Sequence, residues 1–274
     1  MAPWENRLVL TIPETIDIQV TSADSKSSGL DTPGRFLLSG MLAGVFMGIG
    51  VVLMVSTAGP MFAAGEGLAK LVSGLVFGTA LTLTVFAGAE LATSAMMALP
   101  LGVLTKSIRL GRASATLLFI FVANLFGALL FALLIRGSGV LISNQAAGAM
   151  LSDMLATKAH ETPLELFARG VLCNILVCLA IWMSSRVNSD GAKIALIFIA
   201  ITAFIASGYE HVIANMFTYC YGIIIGDPNG TLPLFGKNLL WVGLGNLVGG
   251  AVVVALVYWL VAGSPKKEPV GGRN

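Results

Sequence analysis

Apolar residues fill this chain in long runs, without the alternation or three-to-four spacing of a water-facing surface. Six runs stand out, at roughly 36–56, 69–100, 114–135, 164–184, 194–218 and 237–262. Most exceed the ~20 residues a helix needs to cross a bilayer. They predict an all-α membrane protein with six transmembrane helices. Two runs are overlong and polar in the middle, the second at Gly88-Ala89-Glu90 and the fifth at Ser207-Gly208-Tyr209-Glu210-His211. Glycine and charge at the centre of a span predict a broken helix. Such backbone is tolerated at membrane depth only inside protein or beside a water-filled cavity.

The two halves of the chain resemble each other. "GAELATSAMM" (88–97) aligns with "GYEHVIANMF" (208–217), and "NLFGALLFAL" from Asn124 aligns with "NLVGGAVVVA" from Asn246. The glycine-to-asparagine separations are 124 − 88 = 36 and 246 − 208 = 38 residues. "SGMLAG" (39–44) aligns loosely with "RGVLCN" (169–174). Three spans per half force opposite orientations, which predicts an inverted repeat whose broken helices meet near the midplane around a substrate site. Glycines four apart, Gly40/Gly44/Gly48, Gly74/Gly78 and Gly245/Gly249, supply flat helix faces for close packing.

Composition strengthens the membrane reading. Only 11% of residues are charged and the mean hydropathy is +0.89, against about 25% charged residues in soluble domains. A net charge of +2 is too small to argue for a nucleic-acid partner. Cys173, Cys178 and Cys220 have no metal-type spacing and read as small apolar residues. No cleavable signal peptide is visible, because residues 1–35 are polar and lack an apolar core. That segment is expected to be cytoplasmic. "IPETIDIQVTSADSKS" suits a surface helix with Pro13 near its start, although its β-branched residues argue against one. A six-span channel domain over 36–262 and a cytoplasmic tail at 263–274 complete the organisation.

Basic residues set the orientation. With the N-terminus inside, Arg7, Lys26, Arg35, Lys106, Arg109, Arg112, Arg186, Lys193, Lys266, Lys267 and Arg273 are cytoplasmic, and Lys70, Arg136, Lys158, Arg169 and Lys237 are outside. Eleven against five obeys the positive-inside rule and puts both termini in the cytoplasm.

The chain is identified as resembling the formate/nitrite transporter family on four blocks in order: "FGTALTLTVFAGAELATS", "GVLCNILVCLAIWM", "FIASGYEHVIANMF" and "NLLWVGLGNLVGG". Their wording looks closest to the nitrite channel branch. The resemblance implies a microbial anion channel of the inner membrane, an aquaporin-like fold and a homopentamer with one pore per protomer. The Asn-Pro-Ala signature of water channels is absent. Substrates implied are nitrite first, with formate or hydrosulfide as alternatives, alongside protons; no cofactor or metal is expected.

A pore for such ions must replace their hydration or neutralise them with a proton. His211 suits proton exchange near neutral pH, although a lone histidine among apolar residues is ordinarily a buried neutral one. Glu90 and Glu210 are expected to bond backbone N–H groups freed at the breaks, with Gly88 and Gly208, since carboxylates lining the pore would repel anions. Within the resemblance, Thr93 matches the pore threonine, and Phe77, Leu81, Leu91, Phe204 and Val177 narrow the pore on either side of His211. Lys158 and Asn174 match a lysine and an asparagine near the periplasmic side. Ala92 departs from the family's usual phenylalanine, so a wider cytoplasmic slit or a substitute side chain is expected. His160, beside Glu161, reads as exposed. Two competing readings are an intramembrane hydrolase using Ser207 and His211, with no oxyanion motif in view, and a metal site of Glu90, Glu210 and His211, a thin ligand set.

Overall fold

The computed structural model describes residues 9–263, and every regular element among them is helical. The chain runs α1 (Ile12–Ser28), α2 (Pro33–Ala63), α3 (Ala69–Phe86), α4 (Ala92–Leu104), α5 (Leu110–Ser138), a short α6 (Val140–Ser143), α7 (Gln145–His160), α8 (Pro163–Ser185), α9 (Asp190–Ala206), α10 (Val212–Ile225) and α11 (Leu232–Val248). A π-helical stretch, Gly249–Leu256, then leads into α12 (Val257–Ala262). The tail expected at 263–274 lies outside the described residues apart from Gly263, as do Arg7, Lys266, Lys267 and Arg273.

Among the described residues five helices are long and apolar enough to cross a bilayer: α2, α3, α5, α8 and the continuous Leu232–Ala262. Only 39 to 44% of their apolar windows is buried within the chain. The outward remainder is far more apolar than water tolerates and calls for lipid or neighbouring chains. The fifth apolar run of the sequence divides into α9, of 17 residues, and α10, of 14. The second divides into α3 and α4. Helical geometry is lost between them at 87–91 and 207–211, where glycine and glutamate interrupt the apolar runs.

Small residues let the long helices touch backbone to backbone. A methyl group on Gly44 would lie 2.0 Å from the Asn124 carbonyl oxygen, and one on Gly245 would lie 2.2 Å from that of Phe167. Only glycine therefore allows α2 to approach α5, and α11 to approach α8, so closely. The same pair of contacts recurs in the two halves, since Gly44 sits on the first long helix and Gly245 on the last.

The N-terminal helix forms despite its β-branched residues. Thr11 and Glu14 make a reciprocal capping box and Pro13 occupies the first turn, which suits a helix start. One face packs down: Ile16, Gln19 and Ala23 are buried, and Gln19 donates to Ser185 Oγ at the end of α8 (2.9 Å). Lys26, from its last turn, forms an ion pair with Glu90. Thus α1 is seated against the end of the bundle.

Candidate functional site

Two irregular turns build the centre of the molecule, and they are held by the same bonds. In the first, Asn124 on α5 accepts the Ala92 N–H (2.9 Å) and donates to the carbonyls of Gly40 and Glu90 (both 2.8 Å). In the second, Asn246 on α11 accepts the Val212 N–H (2.9 Å) and donates to the carbonyls of Gly170 (2.7 Å) and Glu210 (3.0 Å). The backbone N–H groups of Glu90 and Glu210 go to the Ser39 and Arg169 carbonyls at 3.2 and 3.3 Å. Gly88 (φ 78°) and Gly208 (φ 74°) turn the chain through the left-handed region that glycine alone enters freely.

The glutamate carboxylates do something other than expected. They do not take the freed backbone N–H groups, because the asparagine amides, with a donor and an acceptor on one head, already satisfy both kinds of backbone group. Each carboxylate instead meets a lysine. Glu90 pairs with Lys26, partly exposed. Glu210 Oε1 accepts from Lys158 Nζ at 2.5 Å, with both side chains over nine-tenths buried. Glu210 Oε2 also accepts from Asn215 Nδ2 (2.6 Å), which donates in turn to Asn238 Oδ1 (2.9 Å). Lys158 is therefore no loop lysine: it comes from the last turn of α7, a helix that the hydrophobic pattern alone does not separate.

The second turn also fixes the hydrogens of His211. The ring caps α10, its Nδ1 accepting the Ala214 N–H at 3.1 Å. Since Nδ1 is an acceptor, the neutral ring carries its hydrogen on Nε2. Nε2 lies 3.0 Å from Thr93 Oγ1 and donates to it. The Thr93 hydroxyl hydrogen is then left for another acceptor. Ser207, at the end of α9, is exposed, and both His211 nitrogens are already engaged, so no serine–histidine pair forms.

A vestibule of about 330 Å³ opens above His211. Lys70, Lys158, Arg169, Asp153 and, against expectation, Glu210 line its polar part, with Phe77 and Phe204 at its floor. Below lies a constriction with about 10 Å³ of free volume. Its wall is built by Phe77, Leu81 and Leu91 from one half and by Val177, Phe204 and His211 from the other. The two phenylalanines meet edge to face, 6.0 Å apart. Met47 from α2 and Ile201 from α9 complete the wall. Sequence reasoning misses both, since each is an ordinary apolar helix position.

Three expected residues sit differently, the first being Thr93, wholly buried and on the wall of neither the vestibule nor the constriction. Asn174 is wholly buried. It donates to the Thr93 and Asn246 carbonyls at 3.2 and 2.6 Å, tying the two turns together rather than lining the vestibule. Ala92 is also wholly buried and absent from the wall of the constriction. The passage is narrow despite the alanine. Near the vestibule, Glu161 is buried where α7 meets α8 and pairs with Arg169. Burial first, and the charge of Glu210 second, push the affinity of its carboxyl for a proton above its ordinary value. His160 beside it is exposed. Among the described residues no three His, Cys, Asp or Glu side chains gather as metal ligands; Glu90 and Glu210 are each turned to a lysine.

Known proteins resemble this chain over most of its length. The profile described as "Formate/nitrite transporter" matches residues 13–260. "Nitrite transporter NirC" of Escherichia coli (strain K12) is 39% identical over 231 residues, 84% of this chain and 84% of its own. "Formate channel FocA" of the same organism is 34% identical over 238 residues, 80% of this chain and 83% of its own. A solved structure described as "FNT family ion channel" superposes with TM-score 0.83 at 34% identity, covering 91% of this chain and 99% of that one. Another, "Pentameric formate channel with formate bound", superposes with TM-score 0.71 at 27% identity, covering 85% and 98%. All are transporters or channels by name, which leaves the hydrolase reading without support. A profile match spanning both asparagine-held turns, and identities of this size over most of the chain, make the chain a member of the formate/nitrite transporter family.

Proposed function

We propose that this protein is a channel for small monovalent anions in a bacterial inner membrane, with nitrite as its main substrate and formate or hydrosulfide as alternatives. The observation that carries the reading is a single axis: a vestibule with basic residues on its wall, His211 at its base, and an apolar constriction immediately below. Lys70 raises the potential that draws an anion in, while Lys158 and Arg169 are paired with Glu210 and Glu161. Thr93, which lies behind both linings, acts through His211, whose Nε2 bonds to its hydroxyl. Phe77, Leu81, Leu91, Val177 and Phe204 then keep out larger hydrated ions. Nitrite ranks first because the NirC relative is 39% identical against 34% for FocA.

In the same reading α3 with α4, and α9 with α10, are each one broken span, so the bundle crosses the membrane six times in two inverted halves. Lys158, Arg169 and Lys237 then face the periplasm, and both termini, with segments 1–35 and 263–274, lie in the cytoplasm. The channel domain, 36–262, assembles as a pentamer, like the pentameric formate channel that it superposes on. Gly88, Glu90, Asn124, Gly208, Glu210 and Asn246 hold the breaks, and Asn174 links them.

Proton exchange belongs to this reading with a condition attached. A cationic His211 can give its Nε2 hydrogen to the anion, forming the neutral acid. That cation needs a second hydrogen on Nδ1, facing the Ala214 N–H. The α10 cap must then open, at a cost of about 1 kcal/mol. Purified protein in liposomes tests the function: nitrite flux above that of formate and hydrosulfide is expected, and vesicles no leakier than protein-free ones to all three anions would overturn it.

A further inference from the structure

The constriction below His211 has eight side chains on its wall, and seven of them are held in place. Phe204 meets Phe77 edge to face and stacks on His211 at 6.0 Å. His211 is bonded at both ring nitrogens. Val177 and Ile201 are β-branched and stiff at χ1. Leu81 is branched at Cγ and has one rotatable bond fewer than methionine. Leu91 stands on a turn whose neighbouring backbone groups, the Glu90 carbonyl and the Ala92 N–H, are both bonded to Asn124.

Met47 is different. Its side chain is unbranched, with three rotatable bonds and a polarisable sulfur. It is 2% exposed and reaches the wall from α2. The backbone beneath it is closely packed. A methyl group on Gly44 would collide with the α5 backbone at 2.0 Å, one on Gly48 with Phe131 at 2.4 Å, and one on Gly50 with Ala80 at 2.6 Å. With α2 clamped between α5 and α3, aperture changes fall to side chains. Met47 changes rotamer at the least cost.

We infer that Met47 is the adjustable wall of the constriction, the side chain whose swing sets the aperture and hence the discrimination between anions by size. This rests on the channel reading. An unbranched thioether can lie along α2 to clear the passage and fall back to exclude water. A branched side chain of similar volume fills the same space but cannot clear it.

The test uses the full chain in liposomes, with Met47→Leu, Met47→Ile and Met47→Ala measured for nitrite and for the larger acetate. Volume-conserving exchange should leave the melting temperature close to the parent's. Nitrite flux should fall about tenfold in Met47→Leu and Met47→Ile, equivalent to ~1.4 kcal/mol of barrier. Met47→Ala should raise the acetate-to-nitrite ratio. Parental nitrite and acetate fluxes in the leucine and isoleucine variants, at parental melting temperature, would overturn the inference whether or not the alanine variant assembles. A parent chain that passes no small anion would bring down the channel reading itself and this inference with it.

Discussion

Asn124 and Asn246 stand in equivalent places 122 residues apart (246 − 124) and each closes one irregular turn with three hydrogen bonds. Replacing either by leucine keeps the volume roughly constant but strands one backbone N–H and two carbonyls. Each buried unpaired group costs about 1–3 kcal/mol. Both Asn124→Leu and Asn246→Leu should therefore melt well below the parent in detergent. Asn246→Leu should also abolish flux in whatever protein survives, because its turn carries His211. Parental melting by either variant would show that the turns are held by packing alone.

The two lysine–glutamate pairs should behave unequally. Lys158 and Glu210 are buried, with side chains 9% and 6% exposed. Breaking a buried pair by removing one partner costs about 3–5 kcal/mol, while removing both is far milder. Lys158→Met should be strongly destabilised, and Lys158→Met with Glu210→Gln should regain most of the lost melting temperature without regaining anion flux at low salt. Lys26 and Glu90 are 12% and 23% exposed, so the corresponding Lys26→Met should cost less, because water can partly solvate the carboxylate left behind. Equal losses in the two single lysine variants would contradict this ordering.

The Ala214 N–H opposes a second hydrogen on His211, and proline at 214 would remove it. Position 214 is the third residue of α10, where the backbone N–H has no intrahelical partner for proline to remove. If flux depends on cationic His211, Ala214→Pro should move the pH midpoint of flux upward by about one unit, the equivalent of one weak hydrogen bond. His211→Phe should assemble and lose the pH dependence altogether. An Ala214→Pro midpoint unmoved from the parent's, in folded protein, would mean that His211 stays neutral throughout transport.

Glu161 has its carboxyl raised by burial. Between the ordinary and the raised value, the folded protein therefore holds a proton there that the unfolded chain has released. Stability from this group is present below the ordinary carboxylate range and is lost as pH rises through the raised value. Glu161→Gln removes the loss. Its melting temperature should gain on the parent's as pH goes from 4 to 7. A constant difference across that range would assign Glu161 a purely structural role beside Arg169.

Much of this architecture is legible in the sequence because it depends on residues that are expensive in an apolar run. Glycine beside glutamate at 88–90 and 208–210 marks both turns, and the recurrence of asparagine at 124 and 246 marks what holds them. The carboxylate partners are not legible. Lys26 and Lys158 lie 64 and 52 residues from Glu90 and Glu210, on α1 and α7, whose weak amphipathic patterns resemble surface segments. The resemblance implies a place for Asn174 near the pore, yet its Nδ2 is turned to two buried carbonyls. Met47 and Ile201 carry no signal at all, since only packing distinguishes one apolar helix residue from another.

Ala92 sharpens that last point. Its side chain is wholly buried and not on the constriction wall, whereas its neighbour Leu91 is on the wall. Phe86, the other residue near enough in sequence to fill the site, is 45% exposed and turned outward. The alanine therefore leaves no open slit to be narrowed. Its backbone N–H is tied to Asn124, so the main chain cannot retreat to admit a ring. Ala92→Phe should overpack the interior and cost about 1–3 kcal/mol, read as a lower melting temperature. Flux per folded channel should fall for nitrite and acetate alike, because a displaced first turn disturbs Leu91 and Thr93 together. Ala92→Ser, which adds one atom, should leave both quantities near the parent's. The opposite pattern, an Ala92→Phe protein of parental melting temperature that excludes acetate more than nitrite, would put the ring in the passage. The wall would then have room for a side chain that the alanine leaves out.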